Sequence, residues 1–396
     1  MKKKNNNLTL SYSLLHFCFQ IISVCIIGYS SYYLLGCGFK NTEIGILIAI
    51  SNIVAVLLQP LIGNYADKPE SPSLKKIMLF LFGLYLLAAV FLFILNGNIL
   101  PLVAIVFGFC SMMFQILLPF LNSLGTESMN QGKNISFGVA RGMGSLAYAI
   151  SSYILGMIVI PFGISVIPVI VIGVLSLILI ALFLFPFEKP TRKNPVQEQS
   201  QSQNGLAFFR KYKSFTYVLI GCICFYINHT LLNNFLFQIV ENKGGTTSQM
   251  GTATAIAAVL ELPIMFGFHF LLKKVSASKW ILVSGIFYTV KAIGSLLVPN
   301  MFGFYFVQVF QMFSWATIAV STVYYVNDVM QEEDTIKGQS YMGMTFTLGT
   351  ILGSVVGGVL LDYTSVNTML IFAILISAIG SVVVAHGLRQ SKNPEA

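Results

Sequence analysis

The sequence predicts an all-α integral membrane protein with twelve transmembrane helices in two pseudo-symmetric six-helix bundles. Hydrophobic residues make up 56% of the 396 positions and charged residues only 9%, which leaves too little polar surface for a soluble globule. Twelve apolar runs each reach about 20 residues, the length that crosses a hydrocarbon core of about 30 Å. Basic residues fall almost entirely on one side of those runs.

Short polar or charged stretches separate the apolar runs, so consecutive runs cross the membrane in opposite directions. Because the number of runs is even, both termini lie on the same side. The predicted spans are residues 9–37, 42–66, 76–96, 99–124, 136–160, 163–186, 214–240, 248–272, 279–298, 300–330, 337–361 and 366–388.

The Lys and Arg residues fix the orientation of the bundle. Nineteen of the 23 lie on the side of the termini, whereas the opposite loops carry Lys40 and Lys243. By the positive-inside rule the termini are cytoplasmic, in a bacterial-type inner or plasma membrane. The net charge of +9 is thus explained by orientation and by contact with the anionic lipid of the bilayer, and we expect no nucleic-acid partner.

The composition also bears on chemistry. The six cysteines lie in or at the ends of apolar runs, without metal-ligand partners in the loops, and are typical of small core residues. No nucleotide-binding loop or catalytic triad is present. We therefore expect no metal, no cofactor and no enzymatic activity.

One long polar stretch interrupts the apolar runs. Residues 191–213 are rich in Gln, Ser, Asn, Pro and charge, which predicts a cytoplasmic linker. It separates an N-terminal six-helix bundle, residues 1–190, from a C-terminal one, residues 214–396.

The two halves of the sequence resemble each other at an offset near 200 residues, for example at Pro60 and Pro263. Glycines spaced four residues apart in span 11, Gly349, Gly353 and Gly357, predict close helix packing.

The first cytoplasmic loop carries a family motif. The segment from Gly63 through Asp67 and Lys68 resembles the loop signature of the major facilitator superfamily, in which the acidic and basic residues hold helix ends together at a cytoplasmic gate. Parallel six-span repeats around a central site near the membrane midplane are the architecture of that superfamily. Pro69 departs from the small residue expected after the basic position.

A narrower resemblance appears in spans 2 and 5. The segments 41–63 and 137–144 are similar to the lactose permease and oligosaccharide:proton symporter group and to the 3-phenylpropionate permeases. The resemblance implies that Arg141 hydrogen-bonds the substrate, and that Tyr148, two turns later on the same helix face, stacks on a ring. A guanidinium offers a planar donor fork for hydroxyls or a carboxylate.

The sequence departs from that group at its acidic positions. Asn122 or Ser123 replaces the acidic partner of the arginine in span 4. In span 10, Gln311 and Ser314 replace the His and Glu of the proton-coupling site. Lysine replaces arginine in span 9, at Lys291. Coupling through the His and Glu of the lactose-type site is therefore not available to this chain.

Charged residues inside predicted spans are the remaining site candidates. A charge at the bilayer centre costs at least about 2.5–3.5 kcal/mol, so Arg141, Lys291 and Glu261 should face the protein interior. Burial favours a protonated Glu261 and a nearby Lys291 favours its ionised form, which makes Glu261 the proton-coupling candidate. His229 and Asn233, four residues apart on one face of span 7, are candidates for lining a cavity.

These resemblances imply a secondary transporter that moves a small polar organic solute by proton symport, through rocking of residues 1–190 against 214–396 around one central site. A sugar or oligosaccharide is the first expectation. An aromatic acid or nucleoside is the second, because Arg141 and Lys291 can equally hold a carboxylate. A drug exporter is the third, and a transporter-like sensor is an alternative of another class. We expect a functional monomer.

The charge asymmetry predicts where reporter domains will lie. A reporter fused after residue 200 should be cytoplasmic, and one inserted near Lys243 should be external, because the loops of the two sides differ so strongly in Lys and Arg content. The activity of an alkaline-phosphatase reporter, or the accessibility of the fusion to added protease, distinguishes the two positions. The reverse pattern would contradict the predicted topology.

Overall fold

The computed structural model describes residues 6–66, 68–187, 189 and 205–390. In this part of the chain the secondary structure is helical, without a β-strand, and twelve helices are long and apolar enough to cross a membrane. The predicted fold class is therefore confirmed. We number these helices α1 to α12: Leu8–Gly28, Asn41–Ala66, Leu74–Leu95, Leu100–Asn130, Phe137–Phe162, Val166–Leu184, Lys213–Asn234, Thr247–Leu272, Ala277–Leu297, Met301–Val329, Glu332–Tyr363 and Val366–Gln390.

Short helices accompany the transmembrane ones at Ser30–Cys37, Gly205–Lys211 and Leu236–Asn242.

The chain divides into two compact units. Unit 1 comprises Met1–Asn194 and Thr246–Val259, and unit 2 comprises Pro195–Gly245 and Leu260–Ala396. The first half of α8 thus groups with unit 1. The domain boundaries at residues 190 and 213 remain a prediction.

Four pairs of packed helices occur at corresponding positions in the two units. In unit 1, α1 packs against α5 and α6, and α3 packs against α4 and α6. In unit 2, α7 packs against α11 and α12, and α9 packs against α10 and α12. Each pair recurs six helices later. The weak echo between the halves of the sequence therefore corresponds to a repeated packing pattern.

Glycines bring the backbone of α11 against α7. A Cβ atom added at Gly353 would lie 2.8 Å from Cβ of Thr230, and one added at Gly357 would lie 2.7 Å from Cδ2 of Leu231. Gly349 meets Tyr226 in the same way. Small residues at this spacing permit the close helix approach that stabilises membrane bundles by van der Waals contact.

Unit 1 contains a second close approach, where α8 begins. Oη of the buried Tyr29 donates a hydrogen bond to the carbonyl oxygen of Ser152 at 3.1 Å and lies 3.5 Å from that of Thr247. Oγ1 of Thr247 donates to the carbonyl oxygen of Gly156 at 3.2 Å. A Cβ at Gly156 would lie 2.6 Å from the Thr247 carbonyl oxygen. The first turn of α8 therefore rests directly on the backbone of α5.

Two transmembrane helices contain a π-helical segment. In α1 it covers Val24–Gly28, and in α10 it covers Met312–Ala316. A π segment widens the helix by one residue and frequently occurs at functional sites, because it turns neighbouring side chains out of the regular register. Gln311 immediately precedes the segment in α10. That segment therefore helps to set the direction of the polar side chains of this helix.

The end of the predicted linker is a packed helix. Phe208 of the helix Gly205–Lys211 is 1% exposed, which the polar composition did not predict. Nζ of Lys211 donates to Oδ2 of Asp334 and to Oε1 of Gln331, both at 2.7 Å, and Oη of Tyr212 donates to the same Asp334 oxygen at 2.8 Å. The hydrogen bond with Asp334 raises the pKa of Lys211. Residues 191–204 lie outside the described part of the chain.

The glycine contacts of α11 predict a position-specific loss of stability. Gly353→Ala should lower the free energy of unfolding by about 1–3 kcal/mol, because the added methyl group overpacks the contact with Thr230. Gly343→Ala is the matched control in the same helix, since a Cβ there meets nothing within 4 Å. The control should be neutral or stabilising by up to about 1 kcal/mol. Thermal unfolding of both purified variants measures the difference, and equal melting temperatures would contradict the packing argument.

Candidate functional site

Unit 2 contains a buried polar cluster formed by three helices. Lys291 of α9 is 5% exposed and Gln311 of α10 is 4% exposed. Nζ of Lys291 donates a hydrogen bond to Oε1 of Gln311 at 2.5 Å, and Nε2 of Gln311 donates to Oε1 of Glu261 in α8 at 2.9 Å. The glutamine amide therefore joins the ammonium group to the carboxylate.

The chemistry of the three groups sets the direction of these bonds. An ammonium group has only donors, so the carbonyl oxygen of the Gln311 amide faces Lys291. The amide nitrogen then faces Glu261, whose carboxylate accepts. Lys291 and Glu261 also interact electrostatically. Together the three side chains form a set with no net charge when Glu261 is ionised, which lowers the cost of keeping the ammonium group out of water.

Aromatic side chains lie beside this polar cluster. The rings of His229 in α7 and Trp315 in α10 stack with their centroids 4.2 Å apart and their planes at 13°. Tyr288 of α9 meets the His229 ring edge-on at 6.0 Å. The charge of Lys291 acts on His229, and that of Glu261 acts on Tyr288. The aromatic side chains thus lie close to the charged ones.

Asn233, predicted with His229 to line a cavity, turns back onto its own helix. Its Nδ2 donates to the carbonyl oxygen of His229 at 2.7 Å and lies 3.2 Å from Nδ1 of the same histidine. Asn233 therefore orients the imidazole ring. Trp315 and Tyr288 were not identified from the sequence. Trp315 follows Gln311 by four residues, a helical spacing that could have indicated a shared face, and Tyr288 precedes Lys291 by three.

The other predicted binding residues lie in unit 1, on α4 and α5. Arg141 is exposed, and its charge acts on Tyr12 and His16 of α1. His16 is buried, and its Nε2 has no hydrogen-bond partner among the described residues. The Tyr148 hydroxyl approaches Gly28, at the end of the π segment of α1, where an added Cβ would lie 3.4 Å from it. The structure thus places Arg141 and Tyr148 along the face of α5 that packs against α1.

The remaining predicted site residues are scattered or only partly described. Oδ1 of Asn122 is buried, again without a hydrogen-bond partner in the described residues. In the loop after α2, Ser71 donates from its backbone nitrogen to the carbonyl oxygen of Lys68 at 3.1 Å. A Cβ at Gly63 would meet nothing within 4 Å. Asp67 lies outside the described residues, so the gate motif stays a prediction.

Metal ligands do not gather within the described part of the chain. No group of three or more His, Cys, Asp or Glu side chains there could hold a metal ion. All six cysteines are free.

Comparison with known proteins gives the family. The MFS_1 like family model matches residues 9–374, which is most of the chain. No curated protein matches. The narrower resemblance to the lactose permease group is not confirmed.

Solved structures share the fold at low sequence identity. A mutant form of the nucleoside transporter NupG aligns with a TM-score of 0.83 at 16% identity, covering 96% of this chain and 100% of that one. A POT family transporter in complex with 5-aminolevulinic acid aligns at 0.74 and 12% identity, covering 99% and 97%. A bacterial homologue of the lysosomal transporter Spinster aligns at 0.69 and 12% identity, covering 98% of each chain. The chain belongs to the MFS_1 like family and is a multi-pass membrane transporter of the major facilitator type.

Proposed function

We propose that the protein moves a small polar organic solute across the cell membrane by proton symport, with both termini in the cytoplasm and Glu261 as the proton carrier. The Lys291–Gln311–Glu261 hydrogen-bond chain is the observation that supports this proposal. Its carboxylate is partly buried next to a buried cation. Such a carboxylate has two accessible states, one ionised and paired and one protonated, which is what a proton carrier requires.

Arg141 is proposed to bind the substrate directly. It is a cation within a transmembrane helix, exposed in the described structure and adjacent to buried polar groups of α1. A guanidinium supplies several donors in one plane and binds hydroxyls or carboxylates in a fixed orientation. Tyr148, two turns further along α5, adds a ring face for a cyclic substrate.

Sugars, aromatic acids and nucleosides all fit this combination of donors and rings, and the polar cluster makes a purely lipophilic drug a poorer candidate. Counterflow in proteoliposomes, with a labelled member of each class, tests the proposed activity. Specific ligand binding without any counterflow would favour a sensor over a transporter.

The proposed roles predict different transport defects for two variants. Arg141→Ala should abolish both active uptake and counterflow, because the substrate loses a direct donor. Glu261→Gln should keep counterflow and lose accumulation, because exchange needs no net change in protonation. Arg141→Lys should remain poor, since a point charge does not reproduce the planar fork. Accumulation against a gradient by Glu261→Gln would contradict its role as the proton carrier.

The bridging amide predicts a loss of stability at Gln311. Gln311→Met keeps the volume but removes the hydrogen bonds to Lys291 and Glu261, and should lower the free energy of unfolding by about 1–3 kcal/mol. Gln308→Met is the matched control, because Gln308 is 3% exposed and its amide donates to the carbonyl oxygen of Phe304 in its own helix at 3.4 Å. Thermal unfolding in detergent measures both. A control that loses as much stability as Gln311→Met would show that the bridge contributes nothing specific.

A further inference from the structure

We propose that Lys291 binds a carboxylate group of the substrate, and that this carboxylate replaces Glu261 as the counter-ion of Lys291 when Glu261 takes up a proton. The substrate would then be a small monocarboxylate that carries a ring. This inference rests on the proposed function and narrows the substrate class for the cluster in unit 2.

The buried position of Lys291 makes a counter-ion necessary. Lys291 is 5% exposed, and the acidic side chain whose charge acts on it is Glu261. Removing an ammonium group from water is expensive unless an opposite charge accompanies it. With Glu261 ionised, the charges of Lys291 and Glu261 cancel. Protonation of Glu261 therefore leaves a buried positive charge without compensation.

The neighbouring groups do not compensate for that charge. Gln311 is neutral, and His229 is neutral or positive in either of its protonation states. Tyr288 is buried, and its hydroxyl has no hydrogen-bond partner within the described structure. A phenol with an ordinary pKa near 10 stays neutral at physiological pH. The charge of Lys291 acts on His229 of α7, and that of Glu261 acts on Tyr288 of α9.

A substrate carboxylate restores the balance. One proton on Glu261 and one carboxylate beside Lys291 return the cluster to zero net charge, whereas a neutral sugar or nucleoside does not. Nε2 of Gln311, which donates to Glu261 in the ionised state, remains a donor next to Lys291. The Tyr288 hydroxyl, which has no hydrogen-bond partner within the described structure, offers a second donor. Proton and carboxylate thus favour each other's binding, which is the thermodynamic linkage that symport needs.

The aromatic neighbours suggest the rest of the substrate. His229 and Trp315 are partly exposed and stack on each other beside the charged groups, and the buried Tyr288 meets His229 edge-on. Aromatic rings pack favourably against other rings by offset or edge contacts. An aryl carboxylate satisfies both the cation and the rings.

Binding and exchange assays with matched pairs of probes test the proposal on the full-length protein. The pairs are benzoate and benzamide, phenylacetate and phenylacetamide, and glucuronate and glucose, with uridine as a further neutral probe. We expect counterflow with at least one carboxylate and at least about tenfold weaker binding of its neutral counterpart. These acids have pKa values near 4 and stay ionised from pH 6 to 8, so any pH dependence in this range belongs to the protein.

Variants of Lys291 and Glu261 distinguish the effects of their two charges on carboxylate binding. In the wild type, the affinity for the carboxylate should fall as pH rises, by up to about tenfold per pH unit once Glu261 is mostly ionised. Glu261→Gln should bind the carboxylate with little pH dependence, because Lys291 no longer has a competing counter-ion. Lys291→Gln should weaken binding at least about tenfold. Lys279→Gln, an exposed lysine at the other end of α9, is the matched control and should bind like the wild type.

Lys291→Gln alone leaves Glu261 without its counter-ion and could lose binding because it misfolds. The double variant Lys291→Gln with Glu261→Gln is the control for this, because it leaves no unpaired charge. It should be monodisperse and should bind no carboxylate, in contrast to Glu261→Gln alone. Accumulation of the carboxylate with one proton is electroneutral, so a membrane potential imposed with potassium and valinomycin should not change it.

Opposite results would overturn the inference. One such result is that the neutral probes exchange as fast as the acids. Another is that no carboxylate exchanges at all. A third is that the double variant binds the carboxylate as tightly as the wild type. Proton-driven accumulation of glucose or uridine that depends on Glu261 would reject the carboxylate and leave the proposed symport intact. Carboxylate exchange that depends on Lys291, with no accumulation of the carboxylate when a proton gradient is imposed, would reject the symport and leave the binding site intact.

Discussion

The hydrocarbon core of a membrane offers no hydrogen-bond partner to the backbone, and the fold follows from this constraint. Each spanning segment must satisfy its own N–H and C=O groups, which a helix does and an open strand does not. The helices continue through Pro60, Pro119 and Pro263, although each proline leaves the carbonyl four residues earlier without its usual donor. The π-helical turns of α1 and α10 keep amide-to-carbonyl hydrogen bonds. The turn at Gln308 and Val309 of α10 does so too.

The same constraint decides how the helices pack. Lipid tails are as apolar as leucine, so burying leucine side chains between helices gains little, and close van der Waals contact becomes more important. This explains why glycines lie where α11 meets α7 and where α8 begins against α5. Polar contacts between helices are of two kinds: some, such as Tyr29 with Ser152, end on a backbone carbonyl, and others, such as Gln311 with Lys291 and Glu261, join side chains.

The cost of charge in this environment separates two kinds of ionic contact in unit 2. Lys211 and Asp334 form an ion pair 2.7 Å long, in which the Lys211 side chain is 44% exposed and the Asp334 side chain 9%; water screens a pair whose cation is this exposed, so the pair contributes little to stability. The Lys291 cluster is buried, where the loss of one partner costs about 3–5 kcal/mol. A change of protonation therefore has a large energetic effect at Lys291 and a small one at Lys211. This contrast is why coupling is proposed for the buried cluster and an anchoring role suits the exposed pair.

The sequence by itself determined the twelve spans and their order, because span length and hydropathy are properties of consecutive residues. It also selected Glu261, Lys291 and His229 as polar residues inside apolar runs, and Gln311 through the resemblance to the lactose permease group. Only the tertiary structure showed that Gln311 joins Lys291 to Glu261, that Trp315 stacks on His229, and that Phe208 is buried. These contacts link residues tens of positions apart. They depend on how each helix is rotated about its axis, which close packing of neighbouring helices fixes and local sequence does not.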